Sequence, residues 1–172
     1  MTPRIRRVAV LAALASTAAV PALAANPIPD SRYVGQTSQR GALRFEFRVS
    51  ADGSRVERLF TQFRARRCEN AENGTQGSIR VGAIALQDDG SFSKRGKETA
   101  RIKPSGSFAG GTQIERFRIS GRFPTAETAK GTLRVTVEVR NKAGETIDTC
   151  STGRRAVTWT ADHLGVIPEP PA

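Results

Sequence analysis

The chain has 172 residues, with 27 Lys+Arg against 16 Asp+Glu, one His, two Cys, one Trp, 38% hydrophobic residues and a formal charge of +11. That length fits one domain of ordinary size. One His, two Cys and no long apolar span after residue 25 exclude a His/Cys zinc centre, a haem site and a polytopic membrane protein, and eight Phe with several β-branched runs argue against wholesale disorder.

Residues 1–25 read as a signal peptide. Arg4, Arg6 and Arg7 precede an Ala/Leu/Val run over 8–20, and Pro21 followed by Ala22-Leu23-Ala24 supplies a helix break and an A-x-A cleavage site. The run is short for a bilayer span, so no membrane span is expected after its removal. Cleavage takes away three Arg and no acid, leaving 24 Lys+Arg against 16 Asp+Glu, a charge near +8. The expected location is extracellular, as a secreted bacterial protein, where a basic chain meets anionic wall polymers and polysaccharide before nucleic acid.

Residues 26–32 form a Pro-containing leader and 164–172 a Pro-rich tail expected to be disordered, which leaves 33–163 as the folded domain. Its pattern has period two. Leu43, Phe45, Phe47 and Val49 alternate with Arg44, Glu46 and Arg48 before an Asp52-Gly53 turn, and Leu133, Val135, Val137 and Val139 alternate with Arg134, Thr136, Glu138 and Arg140. Seven further strands are expected over 56–65, 79–86, 91–94, 99–103, 113–119, 146–150 and 156–161, separated by Gly, Asn or Asp turns. About nine short strands and no amphipathic helix predict an all-β antiparallel β-sandwich, jelly-roll or concanavalin-like. The 56–65 segment breaks its alternation, which calls for a bulge or for burial on both faces.

Cys68 and Cys150 are an even pair in an oxidising compartment and are expected to form one disulfide. No catalytic residue, metal ligand set or cofactor motif stands out. His163 lies at the end of the domain and is expected to be solvated. No G-x-S-x-G stretch is present, and Asp52-Gly53 and Asp88-Asp89-Gly90 read as turns before calcium ligands. The Gly-rich stretch 105–111 lacks the Lys-Ser/Thr ending of a phosphate loop and reads as a mobile loop, and Asn73-Gly74-Thr75 fits a glycosylation sequon. Trp159 shares parity with Val157 and Ala161, so it belongs in the core, while Tyr33 is a candidate for stacking on a sugar.

The remaining signal is Arg on the polar side of strand alternation. Arg44, Arg48, Arg134 and Arg140, with Tyr33, are the candidate ligand-facing residues. Arg64, Arg66 and Arg67 are the nearest approach to a basic run, but on a strand they point both ways. Nucleic-acid binding is not expected, because the exposed aromatics that stack on bases are missing.

The segments Tyr33-Val34-Gly35-Gln36-Thr37, Asp89-Gly90-Ser91-Phe92, Ala129-Lys130-Gly131-Thr132-Leu133 and Cys150-Ser151-Thr152-Gly153, with Trp159-Thr160-Ala161, carry a resemblance. The chain resembles small secreted actinobacterial proteins of unknown function. The resemblance implies a β-sandwich and export, and it implies no activity. Export together with a charge near +8 sets the expected function, a monomeric, exported, non-catalytic module that binds anionic surfaces or glycans. Two alternatives remain: a secreted carbohydrate-active enzyme on a concanavalin-like sandwich, and a structural domain without a ligand.

Overall fold

Alternation decides this structure, because each strand has one apolar side to bury and the described residues contain no helix on which to bury it. The computed structural model describes residues 25–71, 74–102 and 110–166. Most of the segment expected to be a signal peptide, Asn73 of the expected sequon, most of the 105–111 stretch and the tail beyond residue 166 lie outside the described residues. Eleven antiparallel strands follow in order: β1 (Ser31–Thr37), β2 (Arg44–Val49), β3 (Arg55–Ala65), β4 (Arg67–Cys68), β5 (Thr75–Val81), β6 (Ile84–Ala85), β7 (Ser91–Arg101), β8 (Thr112–Thr125), β9 (Thr128–Arg140), β10 (Thr146–Ser151) and β11 (Val157–Val166).

They form one hydrogen-bonded sheet along the path β7-β8-β9-β11-β1-β2-β3-β5. One edge of β9 is shared, since its first half pairs with β11 and its second with β10. The β3 chain passes Arg66 into β4, and β4 pairs with β10, so the path from β9 through β11, β1, β2 and β3 returns to β9. The sheet thus folds over itself into two layers, with β1, β2, β3 and β5 facing β7, β8 and β9. Phe47 of β2 meets Phe92 of β7 and Phe123 of β8, each with ring centroids 6.0 Å apart, across the interior.

The disulfide sits at the closure. Cys68 and Cys150 face each other directly in the β4–β10 pair, with Cα atoms 3.9 Å apart and a sequence separation of 82. Asp148, buried two residues before Cys150, accepts the backbone N–H groups of Glu69, Asn70 and Ala71 at 3.1 Å each and that of Thr149 at 2.8 Å. One carboxylate thus accepts four backbone donors beside a buried bridge.

Trp159 organises the centre of the core. Its ring stacks on Phe45 with centroids 4.0 Å apart and lies over Gly131 and Gly121, which are neighbours in register on β9 and β8. A Cβ on Gly131 would stand 1.9 Å from the Ser120 carbonyl oxygen and 2.5 Å from Trp159 Cζ2. The two glycines give up side-chain packing of their own so that a large aromatic can cover their backbone.

The structure corrects the expected strand list in several places. The broken alternation of β3 is a bulge: Arg58 has φ +50°, its neighbours Val56 and Leu59 are both buried, and the register with β2 shifts between Glu46 and Arg48. The segment 79–86 divides into β5 and β6. The two expected pieces 91–94 and 99–103 are one strand, β7, whose inward positions after Phe92 are Lys94, Gly96, Glu98 and Ala100 and so carry no apolar signal. Strand β1 was not expected, because its inward row is Ser31, Tyr33, Gly35 and Thr37. The first strand begins at Ser31, within the expected leader, and the leader is itself tied to the fold, with the Ala25 N–H donating to the Phe123 carbonyl at 3.1 Å. The folded part also runs past His163, because β11 continues to Val166, opposite Ser31, beyond a register shift at Arg32/Tyr33.

Removing the bridge in a Cys68→Ala/Cys150→Ala variant is expected to lower the unfolding free energy by about 2–5 kcal/mol, the range for a native bridge in a small exported domain. Urea denaturation of the oxidised protein and of the variant measures the difference. A midpoint unchanged by loss of the bridge would show that the β4–β10 pair closes the sheet without it.

Candidate functional site

Strand pairing brings together cations that are far apart in sequence. The outer face of β7 carries Arg95, Lys97 and Arg101, that of β8 carries Arg116, Arg118 and Arg122, and that of β9 carries Lys130, Arg134 and Arg140. The single carboxylate on this face is Glu138, and it is already engaged: Arg116 and Arg140 each donate to it at 2.6 Å, and Thr146 at 2.8 Å. The hydrogen bond from Arg116, then those from Thr146 and Arg140, hold the Glu138 carboxyl down at about 2.

One row defines the face. Arg95 is directly opposite Arg118, and Arg118 is directly opposite Arg134, so three exposed guanidinium-bearing residues stand on adjacent strands. At roughly 4.8 Å between strands, the row spans about 10 Å. None of the three makes an ion pair among the described residues. Like charges directly opposite one another weaken a sheet. The next row, Ser93, Ser120 and Thr132, is neutral, and Ser120 Oγ lies 2.9 Å from Thr132 Oγ1. A trough of about 410 Å³ opens there, walled by Ser91, Thr158 and Thr160 as well and ending at Arg122 and Lys130. A row of cations therefore runs beside a row of hydroxyls.

The opposite outer face, on β1, β2, β3 and β5, is basic but mixed. Glu46 accepts from Arg32 and Arg44, each at 2.6 Å. Partial burial alone would raise the Glu46 carboxyl, but these two hydrogen bonds outweigh it and hold the group below its ordinary value. Arg44 and Arg80 lie 5.9 and 5.2 Å from the centroid of the Phe60 ring.

The expected ligand-facing residues thus divide three ways. Arg134 belongs to the exposed row, and Arg140 is half-buried and paired with Glu138. Arg44 and Arg48 lie on the opposite layer. Tyr33 is corrected to a core residue: it is fully buried and stacks on Phe47 with centroids 5.0 Å apart. Its hydroxyl donates to the Ala126 carbonyl and accepts the Ile28 N–H at 3.1 Å, an anchoring that burial makes favourable and that leaves nothing for a sugar. His163 is also corrected. It packs on Tyr33 at 5.7 Å, half-buried, with Nε2 buried and lacking a hydrogen-bond partner.

Glu115 has no precedent in the alternation, since it occupies an inward position of β8. It is 7% exposed, accepts from Gln113 Nε2 at 2.6 Å, faces Glu98 of β7, and reaches toward Gly77 and Phe63 of the other layer. Burial raises the Glu115 carboxyl; the Gln113 hydrogen bond opposes the rise and the Glu98 charge adds to it. Cys68, Asp148 and Cys150 are also close together, but the sulfurs are bonded to each other and Asp148 is occupied by backbone N–H groups, so this trio does not fit a metal.

Comparison with protein-family models, with curated proteins and with solved structures gives no match to this chain.

A raised carboxyl means that the folded state binds the Glu115 proton more tightly than the unfolded chain does, so ionisation costs stability as pH rises above the ordinary glutamate range. Glu115→Gln is therefore expected to melt at a higher temperature than the unaltered protein at pH 7, with the gap closing toward pH 4. Thermal denaturation at the two pH values tests this; equal melting temperatures at pH 7 would contradict it.

Proposed function

We propose that the protein is a non-catalytic binding module of the cell envelope or extracellular space, and that it holds anionic wall polymers or polysaccharide on the outer face of β7, β8 and β9. The observation that carries this reading is the Arg95–Arg118–Arg134 row. Three facing guanidinium groups without a carboxylate repel one another in the free protein, and an anionic chain laid across them relieves that repulsion. The adjoining trough is lined by Ser and Thr side chains together with Gly121, Gly131 and Trp159, and this mixture of hydroxyls and apolar surface supports a ligand that carries sugar rings as well as charge. A disulfide is compatible with an oxidising, extracytoplasmic setting, and no helix among the described residues is long and apolar enough to cross a membrane.

Dextran sulfate and neutral dextran separate charge from sugar recognition. The oxidised protein is expected to bind dextran sulfate at low ionic strength and to release it as salt rises, because exposed charges are screened. Arg118→Gln removes the middle of the row. It is expected to weaken this binding by about threefold or more while leaving the melting temperature equal or higher, since it also removes two repulsive contacts. Binding that ignores salt, or that is unchanged in Arg118→Gln, would overturn the reading.

A second reading, a secreted carbohydrate-active enzyme, is favoured by Glu115 facing Glu98 on the inner side of β7 and β8. It assigns the proton-donating role to Glu115 and requires polysaccharide turnover that Glu115→Gln abolishes. Binding of polysaccharide without any turnover supports the module instead.

A further inference from the structure

We propose a second, independent site on the opposite layer: a pocket at the β3 bulge that takes a small phosphate or sulfate monoester, with the organic part of the ester against Phe60. Two adjoining hollows, of about 510 and 300 Å³, share Arg58 and Glu46 as common walls. Arg80 and Phe60 complete the larger and Arg48 the smaller.

The charge balance at this place is unequal. Glu46, the one carboxylate in either wall, already accepts hydrogen bonds from Arg32 and Arg44. Arg48, Arg58 and Arg80 make no ion pair among the described residues, so the two hollows are lined by three arginines beyond the pair that Glu46 already engages. A tetrahedral oxyanion offers several acceptors to such groups and suits the planar fork of arginine.

The backbone supports the same assignment. Arg58 is a non-glycine residue with φ +50°, a conformation that costs energy for any side chain with a Cβ. It is the extra residue of the bulge, and bulges redirect a side chain away from the regular alternation. A glycine would meet the conformational demand more cheaply, yet the position holds the arginine common to both hollows. Beside it, Phe60 is half-buried on an outer face and provides an apolar wall next to the cations, so an ester with an apolar body fits better than a bare ion. The Arg95–Arg118–Arg134 row lies on the other layer.

Calorimetric titration of the oxidised protein with phenyl phosphate, phenyl sulfate and inorganic phosphate tests the pocket. A phenyl ester is expected to saturate one site and to bind at least about threefold more tightly than inorganic phosphate. Arg58→Gly removes the guanidinium and relaxes the backbone, so it is expected to fold at least as well and to bind the ester about tenfold more weakly. Phe60→Leu is expected to lower the preference for the phenyl ester over inorganic phosphate, and Arg118→Gln to leave ester binding unchanged. A preference for phenyl phosphate assigns the pocket to phosphate monoesters, and a preference for phenyl sulfate to sulfate esters. Absence of a saturable site for both esters, or equal affinity in Arg58→Gly and the unaltered protein, would overturn the proposal. Failure here with intact dextran sulfate binding would leave the other face standing.

Discussion

Everything in this fold follows from closing one sheet on itself at a seam only two residues long. The β4–β10 pair comprises Arg67 and Cys68 against Cys150 and Ser151, too few backbone hydrogen bonds to hold two layers in register. The bridge makes the contact covalent, and Asp148 gathers the chain just beyond it through the N–H groups of residues 69–71. The loop between the two cysteines includes β5 to β9, so the seam confines five of the eleven strands in the unfolded chain as well as the folded one. With the sheet closed, each strand has an inside and an outside, and side chains have two places to go.

The inside has little room for charge. Trp159, Tyr33, Phe45, Phe47, Phe63 and Phe123 are each less than 2% exposed, and the aromatic rings fit because glycines on β8 and β9 leave space beneath Trp159. Glu115, at the place where Gly77 leaves a gap in the facing layer, and Asp148, held by backbone N–H groups at the seam, are the exceptions. Nearly all other charge is directed outward, where acids and bases separate by turn chemistry. Asp52 accepts from Ser50 and Ser54, and Asp89 from the Ser91 N–H, because a short carboxylate satisfies turn N–H groups that an arginine cannot. Arginine, with a long apolar stem, takes the strand faces instead. Once acids collect at turns and cations on sheets, the sheet faces become strongly positive without a basic run anywhere in the sequence.

Local features were therefore legible and long-range ones were not. The alternation at Phe45-Phe47-Val49 and Leu133-Val135-Val137 shows in one dimension, as does the break in alternation at Val56 and Leu59 that proved to be the Arg58 bulge. Cysteine count and Trp159 parity were sufficient for the disulfide and for the core. Strand β1 escaped because Ser31, Gly35 and Thr37 occupy inward positions that normally announce themselves with apolar residues, and with β1 unseen Tyr33 looked like a surface aromatic. The arginine row escaped for a different reason. Arg95, Arg118 and Arg134 are each unremarkable on their own strands, and only the register of two strand pairs sets them side by side. The hint available in advance was that Arg116, Arg118 and Arg122 share one parity, as do Lys130, Arg134 and Arg140.

The two cationic faces differ in how their attraction is built, and salt separates them. On β7, β8 and β9 the groups are exposed and bordered by hydroxyls, so the attraction is mostly unshielded Coulombic force, which falls away over a screening length of about 8 Å at physiological ionic strength. At the bulge the guanidinium groups share a wall with Phe60, and burial of an ester's apolar part against that ring is indifferent to screening. Rising salt thus strips an extended polymer from the first face before it empties the second. Because the layers face each other through a filled interior, the two outer surfaces point away from each other, and occupation of one leaves the other open. A long anionic chain on the one face and a small ester on the other, the two ligands proposed, consequently do not compete, although both proposals rest on arginine.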